Sequence, residues 1–151
     1  MMRFGFGWQL VGARGLRLLG RVAGIAALAT VAGCATVGGG LAPDASPEAK
    51  RAAVRERSEA RWQAILKRDY AAAYEFFSPG SRQLLSLPAF EERTKRVNFR
   101  GVKVEAVECD GETCKVRISI TYDHRLIKGV VTPAGETWII EQGQAWYAWQ
   151  P

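Results

Sequence analysis

The chain has 151 residues, 48% of them hydrophobic, and is long enough for a single core. Its formal net charge is +6, but Arg3, Arg14, Arg17 and Arg21 all stand in an N-terminal stretch without one acidic residue. Beyond residue 33 the 21 basic residues fall to 17 against 15 acidic ones, a net of +2, which argues against a nucleic-acid partner. The densest remaining charge run, EERTKR at 91–96, is mixed in sign and reads as a solvated helix face.

Residues 22–32, VAGIAALATVA, form a short apolar run between Arg21 and Gly33. A basic lead, a short apolar core and small residues before a cut site make a secretory signal, here residues 1–33. A membrane-spanning helix needs about 20 apolar residues, more than this run supplies. The VAGC at 31–34 resembles the lipobox of bacterial lipoproteins. That resemblance implies cleavage after Gly33, a diacylglyceryl thioether on Cys34 and an acyl group such as palmitate on the freed amine. The membrane is then a partner, reached through lipid on Cys34, because several acyl chains anchor a protein where one does not. Ala35 stands where an aspartate would resemble an inner-membrane retention signal. The expected location is therefore the periplasmic face of the outer membrane.

Residues 34–46, CATVGGGLAPDAS, have the composition of a flexible tether, and residues 47–151 form the domain it carries. Ser46-Pro47-Glu48 opens a helix with a hydroxyl cap, a proline in the first turn and an acid near the positive end. The helix is predicted over 46–68, with Val54, Ser58, Trp62, Ile65 and Leu66 on one face and Arg and Glu on the other. Asp69 is placed to cap a second, short helix, YAAAYEFF, that stops at Ser78-Pro79-Gly80. A polar turn and a third helical piece, about 88–96, complete the helices.

The period then changes to two. Residues 100–108 alternate, and 114–122 alternate more cleanly, with Val116, Ile118, Ile120 and Tyr122 on one face. Another strand is expected at 126–131, and ETWIIE and QAWYAW flank a tight turn at Gln142-Gly143. Cys109 and Cys114 flank Asp110-Gly111, a hairpin signal, at a spacing that suits a disulfide in an exported protein. No metal set is visible, since the single histidine, His124, has no companions. Helices followed by strands give an α+β domain, three N-terminal helices packed on a curved antiparallel sheet.

RWQAILKRDYAAAYEFFSPGSR, a meander and ETWIIEQGQAWYAW together resemble the nuclear transport factor 2-like superfamily, which includes ketosteroid isomerase-like enzymes. The resemblance implies a cone of sheet and helices whose open end holds a ligand. Its enzymes set acid and base side chains inside the cone. An isomerase or hydratase reading would use His124 as base and Tyr70 or Tyr74 as donor. Asp123 and His124 are neighbours on a strand and point to opposite faces, and if the register holds His124 faces inward and Asp123 outward. The other reading is a binding module without catalysis or cofactor. It rests on the aromatic excess: Trp146 faces one way, and Tyr147 and Trp149 the other, so aromatic surface is left for a small apolar ligand or an envelope protein.

Overall fold

The computed structural model describes residues 40–151; the apolar N-terminal run and Cys34 lie outside them. Among the described residues no helix is long and apolar enough to cross a membrane.

Helix α1 spans Pro47–Leu66, and the Ser46 hydroxyl accepts the Ala49 N–H at 3.2 Å as a cap. Arg68, at a φ of 62°, ends the run, and the Asp69 carboxylate caps α2 (Tyr70–Tyr74) through the Ala72 N–H at 3.0 Å. The next stretch departs from expectation. Ser78-Pro79 repeats the Ser46-Pro47 start signal, and the Ser78 hydroxyl accepts the Ser81 N–H at 3.1 Å. What reads as a polar turn is therefore a helix, α3 (Pro79–Leu84), and α4 (Leu87–Thr94) follows. The domain has four helices where the sequence predicts three.

Strands β1 (Asn98–Asp110), β2 (Thr113–His124), β3 (Ile127–Glu141) and β4 (Gln144–Tyr147) form one antiparallel meander in that order. The predicted pieces at 126–131 and ETWIIE are a single strand that passes through Pro133 and Gly135. The sheet tolerates this proline because β4 pairs only with Trp138–Glu141, so β3 is an edge strand at Pro133. Register shifts at Phe99/Gly101 and Val104/Ala106 bend β1, the usual source of sheet curvature.

The turns differ in detail. Gln142 and Gly143 both have positive φ, 53° and 74°, the pair of left-handed residues that a two-residue turn between twisted strands requires. In the first hairpin Asp110 pairs with Thr113, so the loop is Gly111-Glu112, one residue later than the Asp-Gly signal suggests. Cys109 lies opposite Cys114 and the two form a disulfide.

Helix α1 lies along β1. Lys50 bonds the Gly111 carbonyl and the Glu112 carboxylate, Arg55 reaches the Val104 carbonyl, and the Trp62 ring meets Phe99 edge-on at 5.4 Å. Between the layers Val54, Trp62, Ile65, Phe77, Phe90, Val116, Ile118 and Trp138 are buried. Ahead of α1, the Leu41 N–H bonds the Gly143 carbonyl, and the Leu41 side chain packs on the core. Gly143 is needed twice over, because a Cβ there would come within 2.5 Å of the Leu41 carbonyl oxygen.

The end of β2 also departs from expectation. A register shift between Tyr122 and His124 breaks the alternation, so His124 is exposed and does not face inward. Asp123, expected in solvent, has a side chain only 7% exposed. It accepts hydrogen bonds from the Gly129 N–H at 3.0 Å and from Arg100 at 2.7 Å. The Gly129 N–H, and after it Arg100, hold the Asp123 carboxyl below the usual carboxylate range.

Candidate functional site

Helix α1 places Ser58, Arg61 and Trp62 at three- and four-residue spacing, on one face. All three meet Glu136 of β3, at the point where β4 stops pairing. Oε1 of Glu136 accepts from Arg61 Nη1 at 2.6 Å and from Trp62 Nε1 at 2.7 Å. Oε2 accepts from the Ser58 hydroxyl at 2.7 Å and from Trp138 Nε1 at 2.9 Å. Arg61 and Glu136 are each 5% exposed. A buried carboxylate with two donors on each oxygen and a guanidinium beside it meets the conditions under which a buried charge is tolerable.

The Arg61 guanidinium is also stacked, its carbon 3.8 Å from the centre of the Tyr147 ring. Burial pushes the Tyr147 phenol above its ordinary pKa; nearby Arg61 opposes the shift and Glu136 adds to it. The phenol therefore keeps its proton at neutral pH. Among the described residues, Arg61 Nε has no hydrogen-bond partner although it is buried.

This group closes one side of a cavity of about 280 Å³ between helices and sheet. Ile65, Leu85, Phe90, Phe99, Ile118 and Ile120 supply apolar wall, and Arg93, Thr94 and Trp149 also line it. The Arg93 guanidinium lies 5.6 Å over the Trp149 ring and is exposed. The volume is near the lower end of small-molecule sites, about 300–1,000 Å³.

The sequence-predicted residues divide. Tyr147 and Trp149 line the cavity, whereas Trp146 turns the other way, with the Arg57 guanidinium 5.6 Å from its ring. Burial lowers the Arg57 pKa from its ordinary value. The structure does not bring the isomerase set together, for His124, Tyr70 and Tyr74 are all absent from the cavity lining. The Tyr74 hydroxyl donates to the Leu85 carbonyl at 2.9 Å, and Tyr70 packs edge-on against Phe90. Among the described residues no group of His, Cys, Asp or Glu could hold a metal ion.

Sequence reasoning missed Arg61 and Glu136. Two signals were available. Ser58 is a polar residue in the middle of an apolar helix face, and such a group needs a partner. Glu136 shares the strand parity of Trp138 and Ile140, which are buried.

No family model matches the chain, and no curated protein matches it. Solved structures do. A SEC-C motif containing protein from Rhodopseudomonas palustris superposes at a TM-score of 0.57 and 14% identity, over 68% of this chain and 80% of that one. A second, from Psychrobacter arcticus, gives 0.53 and 16%, over 67% of this chain and 60% of that one. A Campylobacter jejuni protein named for an NTF2-like transpeptidase is a weaker likeness, at 0.48 and 7% over 63% of this chain. At these identities the likeness is one of fold.

Proposed function

We propose that this is a lipid-anchored envelope protein whose nuclear transport factor 2-like domain binds a small, largely apolar ligand without catalysis. One observation carries the reading: a 280 Å³ apolar cavity whose buried polar wall is the Arg61–Glu136 pair. The site is arranged to hold rather than to react. Glu136 lines the cavity but its oxygens are taken by four donors, so it is poorly placed to accept a proton from a substrate. The helix–sheet order and the cavity between the layers support the superfamily assignment, and the lipobox-like VAGC supports the anchor on Cys34 and the outer-membrane location.

The test uses N-phenyl-1-naphthylamine, a neutral dye that fluoresces in apolar surroundings. It should bind the full chain with one site per molecule. Ala134→Trp, which fills the cavity from β3, should abolish that site while the circular dichroism of the fold is kept. Dye binding unchanged in a folded Ala134→Trp protein, or absent from the parent, would refute the reading. For the anchor, labelled fatty acid should enter the parent and not Cys34→Ser; equal labelling of both would end it.

A further inference from the structure

Two guanidinium groups, of Arg61 and Arg93, belong to the lining of this cavity. Arg61 Nε is a buried donor without a partner among the described residues, and the Arg93 guanidinium at the rim lies over Trp149 without an acidic partner among them. Both Glu136 oxygens are occupied, and the Thr94 hydroxyl donates to the Phe90 carbonyl at 2.7 Å. Charge follows the same division. Arg61 and Glu136 neutralise each other at 2.6 Å, which leaves Arg93 as the uncompensated charge of the lining.

We infer that the ligand is an apolar monoacid, its anionic head at Arg93 on the rim and a second, neutral oxygen at the buried end on Arg61 Nε. The inference rests on the binding role proposed above and names its ligand class. The order of the two ends follows from electrostatics. An anion at the buried end would have to share Arg61 with Glu136, leaving a net negative charge buried at low dielectric. A hydroxyl or carbonyl oxygen there satisfies the donor without adding charge. At the exposed rim the anion stays partly hydrated, beside a guanidinium that lies over the Trp149 ring. Ile65, Phe99, Ile118 and Ile120 make the lining mostly apolar, so the body of the ligand is a hydrocarbon chain, taken as eight carbons in the titration below.

The experiment is calorimetric titration of the full chain carrying Cys34→Ser, so that no acyl group of its own competes for the cavity. The titrants are octanoate, 1-octanol, octylammonium and 8-hydroxyoctanoate. Octanoate should bind roughly three- to tenfold tighter than octanol, with octylammonium weakest, and the margin should shrink as salt rises. Arg93→Gln should bring octanoate down to the level of octanol and leave octanol unchanged. The inner oxygen should make 8-hydroxyoctanoate roughly fivefold tighter than octanoate. Octanol or octylammonium matching octanoate, or an Arg93→Gln protein that still prefers the acid, would overturn the assignment of the rim. Equal affinity for octanoate and its hydroxy derivative would overturn that of the buried end. If octanol binds and the acid has no advantage, only this inference fails; if none of the four binds, the binding role fails with it.

Discussion

Along β2 and β3, residues 114–120 and 134–140 lie under the helices, whereas residues 124–131 run past them. In the covered half Cys114, Val116 and Ile118 are at most 2% exposed. In the projecting half Leu126 is 97% exposed, Ile127 63% and Val131 62%. Hydrophobicity does not separate the two, for both are rich in aliphatic residues. Length does. The 20 residues of α1, the longest of the four helices, make about 30 Å, while the 15 residues of β3 make about 50 Å of strand, so α1 cannot run the whole length of β3. Alternation tells which face of a strand is apolar, and the dimensions of the other layer decide how much of that face is buried.

The comparison can be broken by substitution. The largest effect belongs to the covered half. Glu136→Ala strands the buried Arg61 cation and leaves the Ser58, Trp62 and Trp138 donors without their acceptor. Chemical denaturation should show a loss of about 3–5 kcal/mol. A loss below about 1 kcal/mol would mean that water reaches Arg61 and the covered half is not dry.

The disulfide at the start of that half comes next. It closes a short loop, and replacing both Cys109 and Cys114 by Ala should lower stability by about 2 kcal/mol in the same assay. No loss would show that the sheet end is held by packing alone. Gly143→Ala forces a side chain into a left-handed turn against the Leu41 carbonyl. It should cost about 1–2 kcal/mol and speed proteolysis near residue 41. Unchanged proteolysis would mean that Leu41 is not held there. The smallest effect belongs to the projecting half, where Leu126→Ser should shift stability by less than about 0.5 kcal/mol. A loss of more than about 1 kcal/mol would show that something covers the tip.

The parts of the fold written in local chemistry were legible. Ser46-Pro47 and Asp69 mark helix starts, Gln142-Gly143 marks a turn, and the Cys109–Cys114 pair follows from its hairpin. Helix α3 is equally local, but Ser78-Pro79-Gly80 reads as a stop as well as a start. The polar wall of the cavity was not legible in the same way. Arg61 belongs to a charged helix and defaults to the solvated face, and its partner lies 75 residues away in sequence. Periodicity assigns faces within an element and carries no information about which charge meets which across the core. Trp146, Tyr147 and Trp149 show the intermediate case: alternation separated the first from the other two, but only the assembled layers show that Tyr147 and Trp149 share a cavity.

The most direct test of the cavity as the binding site is a nitrogen-15 to proton correlation spectrum of the full chain, with and without N-phenyl-1-naphthylamine. The indole signals of Trp62 and Trp149 and the amide of Gly135 should move, while the Trp146 indole and the amides of Leu126, Ile127 and Lys128 stay in place. Movement confined to Trp146 or to the Leu126–Lys128 tip, with the cavity signals unchanged, would place binding on exposed apolar surface and contradict the account.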